Sequence, residues 1–166
     1  MSVNTPDYLK RQHGTAHALG EKKVSSDFTF SIRGHEETYL LVKQAPWPVV
    51  TSQGSIEIVS ILGTAVQQPQ QGKTYFESPI TFQETMAGTI DKLLVDLIRE
   101  GRYFDAKIYE GTPQRYLSYK PLDRCFVQLD AADRDWENRS QVLTFSGTLY
   151  YNYYGETVKG NSDDYR

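Results

Sequence analysis

The residues whose types could do chemistry are few, and their spacing argues against most of the chemistry. QGKT at 71–74 ends like a phosphate-binding loop. That loop needs a glycine five residues before Gly72, where Gln67 stands. Its lysine should also open a helix, whereas Pro79 and a strand pattern follow Lys73. His13 and His17, four apart, could share a helix face as metal ligands, but Gly14 stands where a zinc protease needs its glutamate. His35, beside Glu36 and Glu37, reads as an exposed turn residue. Asp130, Asp133, Asp135 and Glu137 form an acidic cluster without the odd-position oxygens and central glycine of a calcium loop. Asn138-Arg139-Ser140 matches a glycosylation acceptor in letters, with no secretory signal to support it. No serine, cysteine or histidine stands in a recognisable nucleophile setting. The expectation is a protein without catalysis, cofactor or metal.

Composition narrows the class. The 166 residues suit one domain large enough for a real core. Apolar runs of a few residues fall far short of a membrane span, so no membrane anchor is expected. Cys125, the sole cysteine, excludes an internal disulfide framework and sits in the apolar phase of RCFVQL, as a core thiol would. The formal net charge is −3, with acid and base intermixed and no basic patch of the kind a sequence-specific DNA binder shows. Twelve tyrosines, by contrast, supply large contact area with a polar tip, which suits interfaces.

The elements that must position these residues are mostly strands. Leu143, Phe145, Leu149, Tyr151 and Tyr153 alternate with Thr144, Ser146, Thr148, Tyr150, Asn152 and Tyr154. Period-two alternation over 143–155 predicts one very long strand, reaching about 40 Å, with Gly147 interrupting its inward side. DFTFSIRG and TYLLVKQ read as a hairpin, and GSIEIVSILG as a well-buried third strand. TAVQQPQQGKTYFESP, 64–79, reads as a long functional loop. ITFQETM resumes as a strand with Ile80, Phe82 and Met86 in phase, and FDAKIYEG, QRYLSYK and RCFVQLD read as further strands. TIDKLLVDLIREG is the clear helix: Ile90, Leu93, Leu94, Leu97 and Ile98 form one stripe, Thr89 is placed as N-cap, and Gly101 as the stop. The predicted architecture is mainly β: an antiparallel β-sandwich or partial barrel with one flanking α-helix. Residues 1–27 read as an N-terminal arm, 28–155 as the β domain, and 156–166 as a polar C-terminal tail. The predicted core comprises Phe28, Phe30, Ile32, Ile90, Leu93, Leu94, Leu97, Trp136, Leu143, Phe145 and Leu149.

A strand so long, with tyrosines on its wetter side and no catalytic set nearby, points to self-assembly, in which a neighbouring copy covers the aromatics and closes the sheet edge. QLDAADRDWENRSQVLTFSGTLYYNYYGE resembles the C-terminus of tail tube proteins of contractile-tailed bacteriophages. There an acidic turn with a tryptophan leads into a Q-x-x-T-F strand ending in paired aromatics. The matching positions are Asp135, Trp136, Gln141, Thr144, Phe145, Tyr150, Tyr151, Tyr153 and Tyr154, and the order of elements agrees over roughly residues 24–156. The resemblance implies hexameric rings in which each copy gives strands to a continuous inner β-barrel, with the helix outside. Rings would stack into a tube inside a sheath, and DNA would pass the bore without sequence-specific binding. It implies a structural virion protein of the tail, assembled in the host cytoplasm, with sheath, baseplate and tape-measure proteins as partners. Inter-subunit contacts would fall on Gln67, Gln68, Gln70, Gln71, Lys73, Tyr75 and Phe76 of the loop and on Tyr150, Tyr151, Tyr153 and Tyr154 of the strand.

The arm and the tail exceed the simplest tube pattern, which keeps open a tube initiator or baseplate ring, or the tube of a phage-derived injection system. From another class, a carbohydrate-binding β-sandwich could use Trp47, Trp136 and the tyrosines as stacking platforms. A small β-barrel enzyme or carrier would instead need a closed pocket with converging polar groups.

Overall fold

The period-two segments do build a sheet, but in an order that local sequence does not dictate. A computed structural model describes residues 5–164; positions 1–4 of the arm and 165–166 of the tail lie outside the described residues. The elements are α1 Pro6–Ala18, β1 Phe28–Ile32, a 3-10 turn Glu36–Leu41, β2 Val42–Gln44, β3 Ser55–Val59, β4 Ala65–Pro69, β5 Tyr75–Gln83, α2 Thr89–Arg99, β6 Phe104–Gly111, β7 Tyr116–Leu129, β8 Thr144–Asn152 and β9 Val158–Lys159. The strands of the body run antiparallel in the order β1-β6-β7-β8-β5-β2, with β9 added on β7, while β3 and β4 form a separate two-stranded sheet. The protein is therefore mainly β and antiparallel with one main packed helix, and the single chain forms no closed barrel among its described residues.

β7 makes the body bend. Its first part pairs with β6 and β9, and its second part pairs with β8 from Asp123 onward. An extra residue near Arg124 shifts the register on both sides, and Arg124 adopts φ 50°, in the left-handed region. Such a bulge kinks and twists a strand. Pro121, which has no N–H to give, sits between the β9 pairing at Ser118 and Tyr119 and the β8 pairing from Asp123. Pro79 likewise lies in the part of β5 beyond its pairing with β2. Both prolines are thus accommodated where one side of the strand carries no ladder.

The core lies between this bent sheet and α2. Phe30, Ile32, Ile80, Phe82, Ile90, Leu93, Leu97, Ile108, Leu122, Cys125 and Leu149 are buried, and Phe28, Leu94 and Phe145 pack partly buried against them. Each fully buried Leu, Ile or Phe side chain contributes about 1.5–3 kcal/mol. The N-terminus of α2 is capped from outside the helix. Gly88 holds the N-cap backbone at φ 70°, and the Glu84 carboxylate accepts from the N–H groups of Thr85 (2.8 Å), Ile90 (3.0 Å) and Asp91 (3.0 Å). Burial alone would raise the Glu84 carboxyl, but those backbone donors and nearby Lys92 outweigh it and hold it below its ordinary range.

Several expectations are corrected. Thr89 is the first helical residue of α2, not its cap; Glu84 and Thr85 do that work. TYLLVKQ is mostly the 3-10 turn: Thr38 bonds back to the His35 carbonyl through both its N–H and its hydroxyl, so the chain coils before β2. β1 consequently pairs with β6, not with its successor. Segment 64–79 is no loop but β4 and the start of β5, and β3, expected buried, is exposed along its length. QRYLSYK and RCFVQLD fuse into β7. Met86 leaves the strand phase and is fully exposed in the turn after β5. The arm, for which no element was expected, holds α1, which begins at Pro6 and buries no side chain. Trp136, placed in the core by sequence, is 81% exposed, and Leu143 lies before β8, half-buried.

Candidate assembly surfaces

β8 is nine residues long, about 30 Å, shorter than the alternation suggested, because the strand ends at Asn152, beyond which the Tyr153 N–H still bonds to Thr74 O. The alternation itself is real: Leu149, Tyr151 and Tyr153 point inward. The strand is paired on both sides, by β5 from Tyr75↔Asn152 to Gln83↔Thr144 and by β7 from Asp123↔Asn152 to Leu129↔Gly147. It is an internal strand and offers no edge to a neighbour. Tyr151 and Tyr153 are 4% and 3% exposed, so within this protomer they belong to the core. Tyr151 stacks on Phe76 at 5.5 Å, and its hydroxyl lies 3.2 Å from Ser78 Oγ; burial raises its phenol above the ordinary value. Tyr150, on the opposite side, is half-buried and stacks on Phe126 at 4.7 Å, while Tyr154 is exposed.

The open features lie elsewhere. The first is the β3–β4 hairpin. It leaves the body where Lys73 N–H donates to Thr51 O and Gln53 N–H to Gln71 O, and a bridge joins Ser52 to Gly72. Cross-strand register puts Ile56, Ile58, Val66 and Gln68 on one face and Glu57, Val59, Ala65 and Gln67 on the other. Every residue of both strands is exposed, and at the tip Ile61 is 103% and Leu62 91% exposed. Gln67, Gln68, Gln70 and Gln71 therefore all reach solvent. Lys73, Tyr75 and Phe76 meet at the hairpin base, the ammonium lying 5.4 Å and 5.5 Å from the two ring centroids.

The second is the sheet margin at β5. β2 covers it only at Thr81 and Phe82, so the outer side of Tyr75–Ile80 carries no strand among the described residues. The third is a cleft of about 210 Å³ between α2 and the β6–β7 part of the sheet, lined by Leu94, Leu97, Ile98, Phe104, Val127, Leu129 and the charged Arg102. Nearby, Tyr103 meets Phe126 edge to face at 6.0 Å beneath the Arg124 guanidinium.

The arm is tied to the body at Lys23. Its ammonium reaches both oxygens of buried Glu110, at 2.8 Å and 2.9 Å, and Ser118 Oγ donates to the same carboxylate at 3.3 Å. Sequence reading missed this tether because Glu110 lies in a strand 87 residues away. It also missed a second tyrosine cluster, Tyr109, Tyr116 and Tyr119, with ring centroids 4.9–5.9 Å apart across β6 and β7. Each sits in an ordinary strand pattern, and only the pairing brings them together.

The chemically suggestive residues do not converge. Gly72 and Lys73 join two strands, with no helix to follow. His13 and His17 are exposed on α1. His35 is more sheltered than expected, 3.7 Å from Glu100 at the end of α2. Asp135 closes a turn by accepting from the Glu137 N–H. Among the described residues no three His, Cys, Asp or Glu side chains are grouped to hold a metal ion, and no helix is long and apolar enough to cross a membrane. Cys125 is buried with its thiol pushed up by burial, which makes it a poor nucleophile. Among the described residues Trp136 makes no ring contact, and one side of Trp47 is occupied by the Lys120 ammonium at 4.7 Å.

Neither a family model nor a curated protein sequence matches the chain. Solved structures do. A chain of the sheath–tube complex of an extracellular contractile injection system (PVC) in its extended state superposes with a TM-score of 0.57 at 13% identity, over 87% of this chain and 95% of that one. The sheath/tube terminator of the same system gives 0.56 at 16%, over 84% and 97%. The tube-terminating cap of the anti-feeding prophage gives 0.55 at 12%, over 80% and 89%. The chain has the fold found in the tube, terminator and cap assemblies of contractile injection systems.

Proposed function

We propose that the protein is a structural subunit, without catalysis, that closes head-to-tail into hexameric rings and stacks them into the inner tube of a contractile phage tail. DNA would pass through the bore. The observation that carries this reading is the β3–β4 hairpin, which projects from a body of tube-like fold with apolar side chains in water. A two-stranded hairpin is marginal alone, and apolar patches of this kind mark interaction sites. The uncovered margin of β5 favours the ring: a neighbour's strand there would satisfy backbone groups and remove an edge. Cyclic contacts of this heterologous kind close, while stacking stays open-ended and makes a filament. The net charge of −3 suits a lumen that does not retain DNA, because each lysine–phosphate contact would add retention.

The sheath, the baseplate and a tape-measure protein are the partners this role requires, and the virion tail, assembled in the host cytoplasm, is its place. An initiator, terminator or baseplate ring, or the tube of a phage-derived injection system, uses the same subunit geometry and differs in whether rings propagate. Negative-stain microscopy of the purified protein separates these roles: rods indicate a tube subunit, single rings a terminal component, and isolated 19.0 kDa particles at every concentration overturn the reading. Gln70 N–H bonds to Gly54 O at 2.9 Å, so residues 55–69 can be excised and the ends joined by two glycines. That variant should stay folded and fail to stack; unaltered rods would refute the hairpin's role.

A further inference from the structure

Trp136 and the α2 cleft are two unsatisfied surfaces of one chain. The indole is 81% exposed, makes no ring contact among the described residues, and rides on a loop in which Asp130, Asp133, Asp135 and Glu137 outnumber Arg134 and Arg139. The cleft is apolar, and its volume of about 210 Å³ exceeds the ~150 Å³ apolar cavity that takes up benzene, leaving room for the second ring of an indole. Arg102 is the charged residue of its lining, and Arg124 lies over neighbouring Tyr103; neither makes an ion pair among the described residues. An acidic loop with a projecting tryptophan thus faces the chemistry of an apolar slot with an arginine in its lining. Within one protomer the indole remains in water and the slot remains open.

We propose that Trp136 of one copy docks into the α2 cleft of the next. The inference rests on the ring-forming reading above and names a contact within it. Ile98, which is 63% exposed at the cleft, would be covered by the indole, and Arg102 would meet Asp133 and Glu137 of the incoming loop. The contact joins two different surfaces, so it propagates around a ring without requiring twofold symmetry. A buried tryptophan seated in a pocket is the usual kind of hot spot, and its loss should weaken association at least about thirtyfold.

The test uses the full chain carrying Trp47→Phe, which leaves Trp136 as its sole tryptophan. On going from dilute protein to assembled rings, Trp136 emission should shift to the blue and gain protection from acrylamide. Ile98→Glu should weaken assembly at least about thirtyfold and leave the emission red. Arg102→Glu should weaken it too, and adding Asp133→Arg and Glu137→Arg should restore it, a rescue that a merely structural role would not give. Independently of Trp47→Phe, Ile98→Cys mixed with Glu137→Cys should form a disulfide-linked dimer under oxidation. Rings in which Trp136 stays water-exposed and no crosslink forms overturn this contact and leave the ring reading standing. A blue shift independent of concentration places the indole in its own cleft and also overturns it. Absence of any assembly overturns both.

Discussion

Gly147 lies in β8, where it faces Leu129 of β7, and alternation puts it on the inward side with Leu149. A Cβ built at this position would stand 2.1 Å from the Gln128 carbonyl oxygen, 2.7 Å from Leu129 Cα and 2.9 Å from the Gln128 carbonyl carbon. All three are backbone atoms, so no rotamer change relieves the contact. β7 and β8 would have to part by more than an ångström to reach ordinary contact, across a ladder that also holds the β5 margin. In a compatible site, Gly→Ala stabilises by about 0.4–1 kcal/mol through the unfolded chain. Here overpacking, at about 1–3 kcal/mol, and weakened ladder bonds, at about 0.5–1.5 kcal/mol each, oppose that gain. Gly147→Ala should therefore destabilise by about 2–4 kcal/mol, which in a chain of this size lowers Tm by roughly 5–15 °C. Urea denaturation followed by circular dichroism measures it, with exposed Ser146→Ala as the control, expected within about 0.5 kcal/mol of wild type. A Gly147→Ala protein as stable as wild type would refute the close approach of β7 and β8.

The remaining predictions concern the cap, the tether and the hairpin. Glu84→Ala should cost about 0.5–2 kcal/mol, as cap losses do, and should fray the start of α2. Because folding lowers the Glu84 pKa, its contribution is complete above the ordinary value of 4.5 and is lost as pH falls through the folded value; acid titration of stability should show a step in wild type that Glu84→Gln lacks. Lys23→Met strands a buried carboxylate, whereas Glu110→Gln frees an exposed ammonium to water, so the lysine change should be the worse of the two, at about 1–3 kcal/mol, by chemical denaturation. It should also speed proteolysis within the arm. Hydrogen exchange should find amides of 55–69 poorly protected in dilute protein and strongly protected in the assembly; protection that does not change would count against the hairpin as a contact.

What could be read from the sequence is what local periodicity records. The α2 stripe and the inward phase of Leu149, Tyr151 and Tyr153 follow from spacing alone, because one face of each element is apolar whatever its partner. Pairing is different. FTFSI and the segment after it look like a hairpin, yet β1 pairs with β6, more than 70 residues on, and the intervening polar turn coils on the carbonyl of His35. β3 misled for the converse reason. Ser-Ile-Glu-Ile-Val has the composition of a buried strand, and burial depends on a cover that one copy does not supply. Trp136 misled in the same way. An indole in a turn reads as core by chemistry, and the structure sets it in water. Gly147 was visible as an interruption, but its cause, the carbonyl of Gln128, became legible only with the register.

These errors share a direction, and the direction bears on function. Sequence placed the assembly surface on segment 67–76 and on the tyrosine-rich strand, the latter on the premise that β8 has unspent hydrogen-bonding capacity. β8 has neighbours on both sides, and Tyr151 on it and Tyr153 just after it lie in the core, so it stiffens the body. The residues misassigned to the interior, Ile56, Ile58 and Trp136, are among the large apolar side chains left in solvent, beside Ile61, Leu62 and Val66 of the same hairpin. Apolar surface contributes about 25 cal/mol per Å² when removed from water, and a lone subunit forgoes that gain at each of these sites. In the ring reading proposed above a second copy supplies the cover, and the hairpin, the β5 margin and the α2 cleft offer it distinct, non-identical surfaces on one chain. Distinct surfaces join heterologously, and heterologous joints give rings and filaments. The misread residues thus argue for self-assembly more directly than the tyrosines do.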